Sequence, residues 1–94
     1  MSKPNIFKFL FHRNSKYGPT VTESTIITLR GDDKDATYCF MNAFGTPKKF
    51  TIESVQRMVE SSVNGKEEKE LLPVGDSFVP SITKDEKTRR YIVA

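Results

Sequence analysis

FTIESVQRMVESSV, residues 50–63, is the stretch on which the fold turns. Ile52, Val55, Met58, Val59 and Val63 recur at helical spacing and form one apolar stripe. Thr51 is a residue type that caps helix N-termini, and Glu53 falls where the positive end of the helix dipole favours an acid. Phe50 and Val55 fit a hydrophobic staple, and Asn64-Gly65 supplies a stop. The pattern predicts a helix from Ile52 to about Val63.

Strand-like segments lie before it. Ile6–Phe11 alternates Phe7, Phe9 and Phe11 with Lys8, Leu10 and His12, a period of two that favours a strand. A short helix competes, because Phe7, Leu10 and Phe11 also fit helical spacing. Val21–Arg30 is dense in β-branched residues, and one face collects Val21, Thr25, Ile27 and Leu29, with Glu23 the misfit. Gly31-Asp32-Asp33-Lys34-Asp35 has turn chemistry and is expected to join this strand to a second one over Ala36–Phe44. Both faces of that second strand are apolar, which suits the middle of a sheet.

After the helix, Lys66–Glu70 is highly charged and fits a helical turn or a loop. Leu71–Val74 and Phe78–Ile82 are expected as short strands around a Val74–Ser77 turn, with Pro73 and Pro80 confining them to edges. Thr88–Ala94 is expected to close the chain as a strand in the same sheet. The expected fold is α+β: one domain over residues 1–94, a small and mostly antiparallel sheet with the 52–63 helix on one face, and a loose start over residues 1–5. The second sheet face is only partly polar. Its cover is either the aromatic N-terminal segment or a second copy of the chain.

The 94 residues have a net charge of +3, unevenly placed. Residues 1–20 carry Lys3, Lys8, Arg13 and Lys16 and no acid, whereas residues 21–50 are neutral and residues 51–94 carry a net −1. A localised basic patch follows, not a protein basic all over. Phe7, Phe9, Phe11 and Tyr17 are threaded among those cations. Cations interleaved with exposed rings bind single-stranded nucleic acid. The same rings are ordinary core residues if the segment is a strand, and the core assignment is the stronger of the two.

Catalytic and metal chemistry find little support. His12 is the lone histidine, and no two ligands show zinc-motif spacing. Cys39 is expected mid-strand as a buried, inert thiol. Asp32, Asp33 and Asp35 resemble part of a calcium loop, but the glycine and the closing Glu of that motif are missing. No glycine-rich phosphate loop exists. Lys48 and Lys49, just ahead of Thr51, form a weak anion-site signal at the expected helix start.

A single cysteine excludes an internal disulfide and suits a reducing, cytoplasmic setting. No run reaches the ~20 apolar residues of a membrane span. The expectation is a non-enzymatic binding or regulatory protein without cofactor or metal. Small plain chains of this kind often act as inhibitors or accessory factors, including in phage-encoded systems. A protein partner is favoured, a homodimer is compatible, and a nucleic-acid-binding module is the alternative. The residues expected to meet a partner are Lys3, Lys8, His12, Arg13, Lys16, Tyr17, Arg89 and Arg90, the last two if the final strand lies beside the first.

Overall fold

The computed structural model describes residues 3–62 and 69–94. The elements run β1 (Asn5–Arg13), β2 (Glu23–Leu29), α1 (Asp33–Ala43), β3 (Phe50–Ser62), β4 (Lys69–Phe78), β5 (Ile82–Asp85) and β6 (Arg90–Val93). A four-stranded antiparallel sheet has the order β2-β1-β3-β4, and β5 and β6 form a separate two-stranded sheet. The expected α+β class holds. The helix, however, is a different segment from the one the apolar stripe indicated.

The topology explains why a helix falls where it does. β2 and β3 both pair antiparallel with β1, on its two sides, so they run in the same direction. Strands of one sense cannot be joined by a tight turn; the chain must cross the sheet, and a helix is the usual crossing. Residues 31–49 have that task. The segment expected as a central strand over Ala36–Phe44 is therefore α1, and the expected turn at Gly31–Asp35 is its N-terminus.

The local chemistry agrees. The Asp32 carboxylate accepts from the Asp35 backbone N–H at 3.0 Å, and the Asp35 carboxylate accepts from the Asp32 N–H at 3.1 Å. Together they make a capping box that satisfies two amides a helix start leaves without partners. The first turn also carries Asp33, where the helix dipole favours acids. Ala36, Thr37 and Phe40 make the buried stripe. The Thr37 hydroxyl, inside that stripe, donates to the Asp33 carbonyl at 2.8 Å. Cys39, expected buried in a strand, is exposed on this helix.

The expected helix over 52–63 is corrected for a matching reason. Residues 50–62 are β3, paired along most of β1 and then with β4. The helix-like spacing of Ile52 and Val55 comes from a bulge, and Met58 fits it only by falling on the other face. Phe11 opposes Ile52, but Leu10 opposes Ser54, so Glu53 is extra. A bulge shifts the alternation by one, which puts Phe50, Ile52 and then Val55 on one face of a strand. Met58, opposite Ile6, lies on the other face. Thr51 is consequently a strand residue and not a helix cap. The expected stop at Asn64-Gly65 and most of the charged 66–70 segment lie outside the described residues.

The strand reading of residues 6–11 is correct, and β1 is an interior strand. Phe7, Phe9 and Phe11 are 4%, 0% and 3% exposed, so the rings belong to the core. Phe9 lies parallel to Phe40 of α1, with ring centroids 5.1 Å apart and 7° between planes. Phe11 meets Phe40 edge-on at 4.9 Å. Phe50, Ile52, Val55 and Ala36 complete the cluster, with Ile27, Leu29 and Ile82 packed at its margin. Each buried Phe contributes roughly 2–3 kcal/mol by area, and each well-set aromatic pair about 1 kcal/mol more.

The C-terminal third differs from expectation in two places. Residues 69–78 form one strand, β4, rather than the end of one and the start of another around a turn. The expected turn residues are a bulge inside it: Val55 opposes Phe78 while Arg57 opposes Val74. Gly75 there has φ 72°, a conformation glycine adopts without strain. The Gln56 amide closes the bulge by donating to the carbonyls of Val74 at 3.1 Å and Gly75 at 2.8 Å. Pro73 does lie on an edge strand, as its missing N–H requires. The last strand, β6, pairs with β5 and not with the main sheet. Its hairpin docks on α1, where the Val93 N–H donates to the Tyr38 hydroxyl at 3.0 Å.

Truncating Phe40 to Ala removes the ring that β1, α1 and β3 share, and should cost about 3–5 kcal/mol in urea unfolding. Truncating Phe44, 39% exposed, should cost less than half as much. The backbone hydrogen bond from Asp35 holds the Asp32 carboxyl below its ordinary value. A folded-state value below the unfolded one contributes stability at higher pH that is lost as pH falls through the folded value. Asp32→Asn keeps a capping oxygen but not the charge. Its Tm should therefore fall less than wild type's when pH is lowered below about 4.

Candidate functional site

β1 spreads the basic start of the chain instead of gathering it. At about 3.3 Å per residue, Lys3 and Arg13 stand roughly 30 Å apart at opposite ends of the strand. Lys3 lines a recess with Asn5, Arg57 and Met58. Lys8 lies mid-strand on the sheet face away from the helix, opposite Ile26 on one side and Gln56 on the other. His12 shares that face, half-buried, with Nδ1 3.7 Å from the Glu53 carboxylate of the bulge. Lys16 and Tyr17 are exposed in the loop between β1 and β2, where Tyr17 is 88% exposed. Arg89 and Arg90 sit at the β5–β6 turn, and β6 does not pair with β1, so the condition for joining them to the basic segment is not met.

One group does converge. Arg13 ends β1 on the helix side of the sheet, opposite Phe50. Its guanidinium lies over the Phe50 ring, 5.4 Å from the centroid. Lys48 and Lys49 arrive from the α1–β3 loop to the same place. With Asn14, Phe44 and Phe50 they line a recess of about 410 Å³. Lys48 and Lys49 of the weak anion-site signal thus share one site with Arg13 of the N-terminal cations, although no helix starts there.

The loop that carries the two lysines is held by one side chain, Asn14. Its backbone N–H donates to the Lys49 carbonyl at 2.8 Å. Its amide donates to the carbonyls of Pro47 at 3.0 Å and Lys48 at 3.3 Å. Its amide oxygen accepts from the Thr51 hydroxyl at 2.6 Å. Thr51 therefore orders the rim through Asn14. Gly45 supports the same loop from beneath: a Cβ there would meet the Phe50 ring at 2.9 Å.

The recess is lined by three cations and no acid, and Glu23 lines an adjoining recess with Arg13. Among the described residues, the carboxylate ion pairs are His12–Glu53 and Lys69–Glu60 at 3.5 Å, and neither involves Arg13, Lys48 or Lys49. These three cations, none of them ion-paired among the described residues, line the recess with Phe44, which is itself stacked on Phe40 at 4.9 Å. Such a rim suits a polyanionic or acidic surface with an apolar contact at its centre. Among the described residues no group of three or more His, Cys, Asp or Glu is placed to hold a metal ion. No helix among them is long and apolar enough to cross a membrane.

Two members of this site escaped the sequence reading. Asn14 is not among the residues the sequence singles out, and only the fold shows what it grips. Phe44 was assigned to a strand face, whereas it is the C-cap of α1. The Phe44-Gly45 pair was the signal for it, since glycine commonly follows a helix end.

Replacing Asn14 by Ala should cost about 1 kcal/mol in chemical unfolding. It should also speed hydrogen exchange of the Lys49 amide while leaving the β1–β2 amides unchanged. No protein-family model, curated protein or solved structure matches the chain.

Proposed function

We propose that this chain is a small non-enzymatic binding protein that docks on a larger, acidic protein surface through the rim of Arg13, Lys48, Lys49 and Phe44. The observation that carries this reading is the convergence, on one recess, of a half-exposed ring and three cations that form no ion pair among the described residues. Arg and aromatic side chains are the usual anchors of protein interfaces. Here the arginine is already held over Phe50, so less side-chain freedom is lost on binding. A regulatory role, as an inhibitor or accessory factor, fits a chain whose distinctive surface is a docking rim.

The rival reading, a nucleic-acid module, depended on rings exposed among the N-terminal cations. Phe7, Phe9 and Phe11 are buried, which removes three of the stacking surfaces it needs. Phe44 and Tyr17 remain exposed, but one ring at the rim and one in a loop make a poor platform for successive bases.

Affinity capture from the source cells, with wild type and an Arg13→Glu, Lys48→Glu, Lys49→Glu triple variant, tests the proposal. One dominant partner should be retained by wild type and lost by the variant. The variant should keep its stability within about 0.5 kcal/mol, because all three changes are at the surface. Retention of that partner by the triple variant overturns the rim as the docking site. Anisotropy titrations against single- and double-stranded DNA and RNA at low salt should show no tight binding. A micromolar affinity that falls steeply with salt would establish the nucleic-acid reading instead.

A further inference from the structure

The two edges of the main sheet are built differently. β4 is poorly suited to accept another strand: Pro73 lacks a donor, the bulge at Gly75 breaks the ladder, and Lys69, Glu70 and Asp76 add charge. These are the usual means by which proteins keep edges from pairing. β2 has a single charge, Glu23 at its start, and none of the other features. From Ser24 to Leu29 it is Ser-Thr-Ile-Ile-Thr-Leu, without charge, proline, glycine or bulge. It pairs only with β1. Among the described residues, no side chain and no loop backbone hydrogen-bonds to β2 on its outer side. Ile26 projects from the open sheet face and is 44% exposed.

We propose that β2 pairs antiparallel with β2 of a second copy, about a two-fold axis at Ile26, joining two four-stranded sheets into one of eight. Three features select a second copy as the occupant. In this register Ile26 meets Ile26, Thr25 meets Ile27, Ser24 meets Thr28 and Glu23 meets Leu29. No like charges oppose one another, Ser24–Thr28 is a pair type that favours cross-strand contact, and Ile26 meets a second β-branched side chain across the axis. The faces also match, since a two-fold axis perpendicular to the sheet keeps both helices on one side. Finally, the blocked β4 edge disfavours β2-to-β4 pairing, which would grow an open filament, and leaves the closed, isologous arrangement. The pairing lies on a different edge from the Arg13 rim and does not depend on it.

Sedimentation equilibrium of the full chain, from about 1 to 500 µM, tests this directly. A monomer–dimer equilibrium in the micromolar range is expected, and a monomer throughout overturns the proposal whatever the variants do. Ile26→Lys and Ile26→Glu place like charges on the axis at a solvent-facing position, so each alone should be monomeric with wild-type circular dichroism. Mixed in equal amounts, the two should dimerise again, because the axis then joins Lys to Glu. Leu72→Lys on β4 should dimerise like wild type. A dimer that survives Ile26→Lys, or that Leu72→Lys abolishes, refutes β2 as the seam.

Discussion

The parallel stack of Phe9 on Phe40 is the contact on which the structure depends. Phe9 is at the middle of β1, the strand that β2 and β3 flank. Phe40 is on the one element that must cross that sheet. With both rings almost wholly buried, the stack fixes the height and angle at which α1 crosses. Phe11 then meets the same Phe40 ring edge-on, and Phe50 packs against both. A chain with no disulfide depends on such close-set rings, because it has only the area it buries to offset conformational entropy.

The candidate site is a by-product of that stack. Once Phe40 is seated, the last turn of α1 delivers Phe44 to the rim, and Gly45 lets the chain pass tightly over Phe50. The loop must then return at the end of β1, where Asn14 grips Pro47 and Lys48 by their carbonyls. Lys48 and Lys49 thereby stand beside Arg13, far away in sequence. Two parts of the rim are extensions of the core: Arg13 lies over a core ring, and Phe44 stacks on another.

Much of this was legible locally. The alternation of Phe7, Phe9 and Phe11 marked a buried strand face, and the β-branched run over Val21–Arg30 marked β2 and its inward Thr25, Ile27 and Leu29, although Val21 lies before the strand and is exposed. Pro73 marked an edge. The errors came from short apolar patterns that two periods fit equally well. Residues 36–44 carry Ala36, Phe40 and Phe44 at helical spacing, yet they alternate well enough to suggest a strand. In residues 50–63, one extra residue, Glu53, moved a strand's alternation into helical spacing. A bulge is not visible in a single chain, because it is defined only by the partner strand it mismatches.

The sequence by itself determined the class of the fold, the aromatic core of β1 and the N-terminal charge excess. These follow from side-chain chemistry and spacing within a few residues. Only the tertiary structure decided which of two ambiguous segments became the helix, because that turned on β2 and β3 running in the same sense on either side of β1. It likewise decided that Arg13 meets Lys48 and Lys49 while Lys3 is carried roughly 30 Å away. An extended strand separates charges that are neighbours in sequence, and a crossing helix unites those that are not.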